Sequence, residues 1–398
     1  MMQAAMVKSL AETPYTIETG FVSLKKHGEE LCGDNVVVSR RDDSVIMVLS
    51  DGLGSGVKAN ILATLTSKIA GTMLEMGASL DEVVETVGQS LPICKVRGLA
   101  YSTFTILQVF YDGRVYMAEF DNPAVFYLHQ GRITDIPRTE RYIVDKKVKE
   151  ACFQADVGDF LVAISDGVVH AGIGAVLNLG WQWPNVARFL EKTVAHERNA
   201  TNVAQRLADI CQHLYAGQPG DDATIATIHI RRPRHLTLAV GPPRYRRDDG
   251  QMAELLAAAP GKKVVCGGTT GNIIAREWRV PLTVDLRYCS PKIPPLGRMP
   301  GADLVTEGII TISGALENLR LLFQGKGMSE VLTGEDGASR LARLLWESDK
   351  VHFLVGGAIN PAHQNPDLPS GLALKEQAIS ELTHCLEKAG KEVQVTSF

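Results

Sequence analysis

The sequence is poor in the cysteine patterns that mark metal ribbons, disulfide frameworks and thiol catalysis. It has seven cysteines in 398 residues, and no two of them form a Cys-x-x-Cys pair. A scattered, odd-numbered set of this kind argues against a zinc site or a set of disulfides, and is typical of reduced thiols in the cytosol. No cysteine is followed six residues later by arginine, so a Cys-x5-Arg motif for a cysteine nucleophile is also absent.

Long apolar runs and strong positive charge are missing as well. No stretch reaches the ~18 uninterrupted apolar residues of a transmembrane helix, and the N-terminus lacks the apolar core of a signal peptide. We therefore expect a cytoplasmic protein with no membrane partner. The net charge of −4 provides no strong basic field, which argues against nucleic acid as a partner.

What the sequence does contain is an apolar run that ends close to a carboxylate. Residues 45–49 are all apolar, Asp51 follows, glycines occupy positions 52, 54 and 56, and a helical pattern starts at Lys58. This order predicts a buried strand, a sharp turn and a helix. It places Asp51 at a strand end, where Gly52 allows the backbone to approach a bound ion and to offer its carbonyl as a hard oxygen ligand.

The same arrangement recurs, which separates it from an ordinary Asp-Gly turn. Three further aspartates each adjoin a predicted strand: Asp34 (strand 36–39), Asp166 (strand 160–164) and Asp221 (strand 223–230). Four acidic sites thus lie at the edges of four predicted strands. Such a set suits Mg²⁺ or Mn²⁺, because these ions prefer oxygen ligands in octahedral geometry.

The order of predicted strands and helices changes along the chain. Up to about residue 231 the pattern is strands, two helices, a meander of strands, two helices and a closing strand, which predicts an α+β domain. A basic segment with proline at 231–234 marks a boundary, so we expect domains at 1–232 and 233–398. Strands and helices alternate in the second part, which predicts a smaller α/β domain whose role, regulatory or substrate- or partner-binding, is left open.

The four acidic motifs occur in the order of a known family. Gly-Asp-Asn at 33–35, Ser-Asp-Gly-Leu-Gly-Ser-Gly-x-x-Ala at 50–59, Ser-Asp-Gly at 165–167 and Gly-Asp-Asp-Ala-Thr at 220–224 resemble the metal-dependent serine/threonine phosphatases of the PP2C superfamily. The resemblance is closest to the bacterial SpoIIE-like branch and covers residues 1–232. It implies a PP2C-like sandwich of two antiparallel β-sheets flanked by helices, ahead of the smaller α/β domain.

The resemblance also implies a two-ion centre with a role for each ligand. Two Mn²⁺ or Mg²⁺ ions would be bound, with Asp51 bridging both and Gly52 giving its carbonyl to one of them. Asp166 and Asp221 would complete the shell of the other ion, and Asp34 would act mainly through metal-bound water. These four aspartates are the expected catalytic set.

The sequence departs from the pattern of the family in two respects, and two serines beside the aspartates form one local feature. Asp222 stands where many relatives have Asn, which puts a direct role for it in doubt. The arginine with which eukaryotic members hold phosphate has no counterpart, which leaves phosphate binding to the metals. Ser50 and Ser165, which precede two of the aspartates, are expected to hydrogen-bond within their turns.

The function implied is hydrolysis of phosphoserine or phosphothreonine on a bacterial regulatory protein by a metal-activated water. An anti-sigma-factor-antagonist-like protein is the kind of partner that the branch suggests. The alternatives are a catalytically inactive scaffold of the same fold and a ligand-sensing signalling module, whereas the acidic balance disfavours a two-metal nuclease. Formation of a homodimer is left open.

The second domain contains one further candidate site, a glycine-rich turn between a predicted strand and a predicted helix. Its four candidate residues are Gly267, Gly268, Thr269 and Thr270. Free backbone N–H groups before the helix predicted at 272–278 would favour an anion. The segment lacks the Lys-Ser/Thr of a P-loop and the spacing of a dinucleotide fingerprint, and a turn without a ligand explains the same residues. Residues 303–308 either add polar groups nearby or start a helix.

Overall fold

The computed structural model describes residues 15–90, 102–143, 146–285, 296–324, 326, 328–358 and 371–398. The chain divides into two compact units, Met1–Arg232 and Pro233–Phe398. They are called the first and the second unit below. Each has its own sheets, helices and apolar core.

The first unit contains two antiparallel sheets. Its strands are β1 (Thr16–Leu24), β2 (Asp34–Arg40), β3 (Ser44–Gly52), β4 (Ser102–Phe110), β5 (Arg114–Phe120), β6 (Phe126–His129), β7 (Arg132–Thr134), β8 (Thr139–Ile143), β9 (Lys146–Gln154), β10 (Phe160–Ile164) and β11 (Ala223–Arg231). One sheet has the strand order β1-β11-β10-β6-β7 and the other has β2-β3-β4-β5-β9-β8.

Helices cover the outer face of each sheet. They are α1 (Gly56–Glu75), α2 (Leu80–Ser90), α3 (Asp166–Val169), α4 (Trp183–His196) and α5 (Ala200–Leu214). The predicted start of α2 is confirmed, because Glu82 accepts from the backbone N–H of Ser79 and Ser79 Oγ accepts from that of Glu82. The side chain of Asn199 caps α5 by accepting from the N–H of Asn202.

Strand β3 shows why a central strand has a continuous apolar sequence. Ile46 and Val48 pack with α1 and α2, whereas Val45, Met47 and Leu49 pack between the two sheets. Both faces of the strand are therefore buried, and its central residues 45–49 are all apolar. The result is a helix–sheet–sheet–helix arrangement, which confirms the predicted sandwich.

The second unit is built on a sheet with a parallel centre. Its strands are β12 (His235–Val240), β13 (Lys262–Cys266), β14 (Thr283–Asp285), β15 (Leu296–Arg298), β16 (Leu304–Thr306), β17 (Lys350–Val355) and β18 (Glu392–Ser397). The order is β14-β15-β16-β13-β12-β17-β18, and the five strands from β16 to β18 in that order run parallel. This α/β architecture follows the predicted alternation of strands and helices.

Helices lie on both faces of this sheet. They are α6 (Asp249–Ala258), α7 (Gly268–Trp278), α8 (Ile309–Phe323), α9 (Met328–Thr333), α10 (Gly337–Glu347) and α11 (Gly371–Lys388). One apolar cluster joins α6 and α7 to the sheet, and another joins α8, α10 and α11 to the opposite face. Within the described part of the chain, none of the helices combines the length and hydrophobicity needed to cross a bilayer.

Several boundaries differ from the sequence prediction. Helix α7 begins at Gly268 and not after the glycine-rich turn, so that turn is the first helical turn itself. Residues 304–306 form strand β16, and helix α8 begins after them at Ile309 with Gly308 as its N-cap. Strands β8 and β9 were not predicted. The ends predicted for α2 at Leu91 and for the strand of β14 at Leu286 lie outside the described residues.

Candidate metal centre

Two of the four aspartates stand opposite each other in one sheet. Strand β2 begins at Asp34 and β3 ends at Gly52, and the antiparallel register pairs Asp34 with Asp51. The backbone N–H of Gly52 donates to the carbonyl of Gly33 over 3.1 Å and ties the two strand ends together. The sequence motifs at 33–35 and 50–59 therefore meet at the same edge of the sheet.

The other two aspartates come from the second sheet of the first unit. Asp166 follows β10 and starts the short helix α3, and Asp221 lies in the turn before β11. Strands β10 and β11 are neighbours, which brings the two turns together. The hydroxyl of Ser165 donates to Asp34 Oδ2 over 2.7 Å, so the two pairs of aspartates lie at the same end of the sandwich.

Glycine is required where the turns of the centre pack against neighbouring backbone. A Cβ on Gly52 would lie 2.1 Å from the carbonyl oxygen of Ala59 in α1, and a Cβ on Gly167 would lie 2.0 Å from that of Asp222. No side chain can be accommodated at such distances without a backbone shift. The two Asp-Gly motifs thus allow a close approach that a larger residue would prevent.

The carboxylates of the centre repel one another. Burial, together with the charges of Asp34, Asp166 and Asp221, raises the pKa of Asp51 to about 9. Burial also raises the pKa of Asp34 to about 7, against the lowering effect of the Ser165 hydrogen bond. The pKa of Asp221 is raised by burial and by Asp166. Such a group favours a bound cation, which relieves the repulsion.

The residues fit a pair of hard divalent ions. Oδ1 of Asp34 and Oδ2 of Asp222 are buried and accept no hydrogen bond from the described residues. A buried carboxylate oxygen without a donor is unfavourable unless a cation or water approaches it. The donor set is all oxygen, as Mg²⁺ and Mn²⁺ prefer. Asp222, whose direct role the sequence left in doubt, also accepts from the backbone N–H of Lys26.

A lysine and a histidine at the rim were not predicted from the sequence. Nζ of Lys26 lies 3.9 Å from Asp221 Oδ1, and Nδ1 of His170 lies 4.0 Å from Asp166 Oδ2. Lys26 belongs to no recognisable motif, so its role is visible only in the fold. His170 could have been found from its i, i+4 spacing to Asp166 on a helix.

A tighter group of potential ligands lies elsewhere in the first unit. Ligand atoms of His129, Asp156 and Asp159 all lie within 4.8 Å of one another, and no other such group occurs among the described residues. Asp159 is already saturated, because it accepts from Tyr127 Oη, from the N–H of Asp156 and from that of Gln130, beside His129. We interpret this group as structural.

The second predicted site lies in the second unit. Gly267 is the N-cap of α7, and Gly268, Thr269 and Thr270 form its first turn. The structure thus keeps these four residues together at a helix N-terminus. Their surroundings are described below.

Comparisons with known proteins bear on the first unit. Residues 41–231 match a family model described as Stage II sporulation protein E (SpoIIE). The match includes Asp51, Asp166 and Asp221, whereas Asp34 precedes it. No curated protein matches the chain.

Three solved structures illustrate the similarity. The PP2C phosphatase domain of SpoIIE from Bacillus subtilis, with a fragment of its regulatory domain, is 19% identical with a TM-score of 0.47, over 55% of this chain and 64% of that one. The SiaA-PP2C domain of Pseudomonas aeruginosa is 16% identical with a TM-score of 0.42, over 52% and 85%. RsbX in complex with magnesium is 19% identical with a TM-score of 0.40, over 54% and 95%.

The chain spans less than two thirds of the length of the first of these structures. The assignment rests on the family-model match together with the topology of the first unit, two antiparallel sheets between helices. Residues 41–231 of the first unit are therefore similar to the SpoIIE family, and the unit has two antiparallel β-sheets between helices.

Proposed function

We propose that the first unit is a metal-dependent protein phosphatase that hydrolyses phosphoserine or phosphothreonine on a bacterial regulatory protein. The observation that carries the proposal is the convergence of four acidic motifs, distant in the sequence, at one end of the sandwich. Carboxylates that lie near one another in a partly buried site are unfavourable on their own and become favourable when they hold cations. A structural role alone gives no reason to assemble them.

Each residue of the centre has a task in this proposal. Asp51, Asp166, Asp221 and the carbonyl of Gly52 would hold two Mn²⁺ or Mg²⁺ ions, with Asp34 beside them. When bound, such ions neutralise charge on the phosphoryl oxygens and lower the pKa of water enough for attack near neutral pH. The protein itself supplies no side-chain nucleophile, and the aspartates fix where the phosphoryl group and the water lie.

Two groups around the aspartates support this chemistry. The hydrogen bond from Ser165 holds Asp34 in one orientation, as outer hydrogen bonds commonly do for metal ligands. Lys26 at the rim adds a positive charge that an approaching phosphorylated side chain would meet first. The centre lies at an edge of the sandwich, so a phosphorylated segment of another protein can reach it. An anti-sigma-factor-antagonist-like regulator in the cytoplasm is the partner that fits the SpoIIE-like branch.

The experiment that tests this function uses the full chain, freed of metal and then supplied with Mn²⁺ or Mg²⁺. Release of phosphate is measured from peptides that carry phosphoserine, phosphothreonine or phosphotyrosine. We expect metal-dependent release from the first two and little from the third. Asp51→Asn should reduce the rate by more than about 100-fold, because even residues that only orient metal ligands contribute 10–100-fold. Asp42→Asn, an exposed position in the β2–β3 turn, is the matched control.

Two results would contradict the proposed phosphatase function or its assignment to this centre. Absence of hydrolysis with both metals, on all three peptides and on a chromogenic phosphate monoester, would contradict the proposal. An inactive scaffold of the same fold would then be the better account. Equal rates for the wild type and Asp51→Asn would show that any activity present comes from another site or a contaminant.

A further inference from the structure

The second unit has a glycine-lined opening at the end of its parallel sheet. Strands β13 and β16 are neighbours, and each leads through one glycine, Gly267 or Gly308, into a helix. The N–H of Gly267 donates to the carbonyl of Thr306 over 2.9 Å. A Cβ on Gly308 would lie 3.4 Å from Cα of Gly267. The N-termini of α7 and α8, helices of 11 and 15 residues, therefore meet at one point.

This point is open to solvent. Gly268 and Thr269 are exposed, and a Cβ on Gly268 would meet no atom within 4 Å. The first N–H groups of a helix have no partner within the helix, and the peptide dipoles add partial positive charge there. Two such termini side by side favour an anion and disfavour a cation.

Buried polar atoms without partners belong to residues around this point. Thr270 is fully buried, and its Oγ1 forms no hydrogen bond within the described residues. The same atom would lie 3.2 Å from a Cβ on Gly267, which places it beside the opening. Oγ1 of the buried Thr306, with the thiol of Cys266 as a neighbour, and Oε2 of Glu307 are likewise without a partner there. Buried polar atoms in proteins normally have hydrogen-bond partners. Their lack of partners here therefore indicates that a bound ligand supplies them.

The chemistry of these groups restricts the ligand. Hydroxyl and N–H donors at Thr270 and at the start of α7 match phosphate oxygens. The carboxylate of Glu307 only accepts hydrogen bonds, and therefore needs a hydroxyl or amino group on the ligand. An inorganic anion without a hydroxyl group, such as sulfate, satisfies the first requirement and fails the second.

We propose that the opening formed by Gly267, Gly268, Thr270, Glu307 and Gly308 binds a ribonucleotide. Its phosphate would lie at the start of α7 and its ribose hydroxyls would face Glu307. This site is separate from the phosphatase centre and does not depend on the function proposed for it.

Another part of the sheet edge, where the strand order reverses, is partly occupied by the chain's own atoms. In doubly wound sheets, ligands bind beyond the carboxyl ends of the strands, commonly where the strand order reverses. Here the reversal lies between β12 and β17, and the chain fills it with its own atoms. A Cβ on Gly356 would lie 2.0 Å from the carbonyl oxygen of Pro242, and the buried Lys375 donates to the carbonyl of Gly356. At the neighbouring opening between β13 and β16, a Cβ on Gly268 would meet no atom of the described residues within 4 Å.

The opening is exposed to solvent and is not a closed cavity. A cavity of about 690 Å³ in this unit lies near strands β14 and β15, where Arg298, Asp303 and Arg340 line it. We therefore expect the bound nucleotide to remain partly exposed.

Calorimetric titration of the full chain tests the proposal. The protein is kept free of divalent metal with EDTA, so that the phosphatase centre does not compete for phosphate groups. The probes are ATP, ADP, AMP, adenosine and inorganic phosphate. We expect at least one nucleotide to bind, with adenosine and inorganic phosphate at least tenfold weaker.

Variants locate the site. Thr270→Val removes an unpaired hydroxyl without changing volume, and should weaken nucleotide binding at least tenfold. Thr227→Val is its matched control, because Thr227 is also buried with an unpaired hydroxyl but lies in the first unit. Gly268→Glu places a negative charge in the open space, and should abolish binding without lowering the unfolding temperature. Glu307→Gln should weaken nucleotides and leave inorganic phosphate unchanged.

Three results would overturn the proposal. One is the absence of binding by every nucleotide at millimolar concentration. Another is wild-type affinity in both Thr270→Val and Gly268→Glu. The third is inorganic phosphate binding as tightly as the nucleotides, which would leave Glu307 without a role.

Discussion

The hydroxyl of Ser165 donates a hydrogen bond to Oδ2 of Asp34 over 2.7 Å, and joins two motifs that lie 131 residues apart. Ser165 follows β10 in one sheet and Asp34 begins β2 in the other, so this bond links the two halves of the candidate centre. The hydroxyl is also held from the other side, because the N–H of Thr224 donates to it over 2.8 Å. The sequence suggested only a bond within the turn for this serine.

Ser165→Ala should weaken both stability and metal binding. It leaves Asp34 Oδ2 and the N–H of Thr224 without their partner, which should lower the free energy of unfolding by about 1–3 kcal/mol. The affinity for Mn²⁺ should fall about tenfold, because Asp34 loses its fixed orientation. Urea unfolding and Mn²⁺ titration measure the two effects. Ser44→Ala, which removes another buried hydroxyl at the far end of β3, should leave Mn²⁺ affinity unchanged. An unchanged Mn²⁺ affinity in Ser165→Ala would contradict the orienting role.

Asp51→Asn should stabilise the metal-free protein. The pKa of Asp51 is raised from 3.8 to about 9, so the folded protein binds a proton there that the unfolded chain releases above about pH 4. The wild-type protein therefore loses stability as pH rises from about 4 towards 9, and Asn removes this loss. At pH 8 we expect a Tm several degrees higher than that of the wild type, since about 1 kcal/mol corresponds to about 2–4 °C at this domain size. Thermal unfolding in EDTA measures it, with Asp42→Asn as the control, and a Tm below that of the wild type would refute it.

Gly167→Ala should lower the Tm and the phosphatase activity more than a glycine-to-alanine substitution elsewhere in the chain. The new Cβ would lie 2.0 Å from the carbonyl oxygen of Asp222, so the turn that carries Asp166 must move away from the one that carries Asp221. We expect a lower Tm and a loss of most phosphatase activity. Gly250→Ala is the control, because its Cβ would meet no atom nearer than 3.8 Å. If Gly167→Ala behaved like Gly250→Ala in both assays, the tight contact would have no importance.

Lys26→Gln should affect substrate binding more than turnover. Lys26 holds a positive charge 3.9 Å from Asp221 without belonging to the acidic set. Its removal should raise KM for a phosphoserine peptide about fivefold, which corresponds to about 1 kcal/mol, and should change kcat less. Lys25→Gln removes an exposed neighbour of equal charge and should leave KM unchanged. A fall in kcat with constant KM would instead place Lys26 in the chemical step.

Local signals account for the features that the sequence predicted well. The apolar run of β3 and the glycines after Asp51 are consequences of burial on both faces and of close backbone packing. These requirements act within a few residues, so the strand, the turn and helix α1 could be recognised before the fold was known. The pairing of Asp34 with Asp51 followed from a short turn between their strands.

Features that depend on distant contacts were not predictable in this way. Strand β9 has few buried apolar residues, such as Val148 and Ala151, and it forms because β5 and β8 pair with it. Helix α7 begins at glycines that disfavour a helix locally. Gly271 is needed there, because its Cβ would lie 3.1 Å from Leu282. The position of Lys26 beside Asp221 likewise depends on the pairing of β1 with β11.

The most direct test of the two-ion centre is a calorimetric titration of the metal-free full chain with Mn²⁺. The account predicts two ions per chain for the wild type. It predicts loss of both in Asp51→Asn, because Asp51 would bridge them, and two ions in Asp42→Asn. No measurable binding to the wild type, or two ions bound with unchanged affinity by Asp51→Asn, would contradict it.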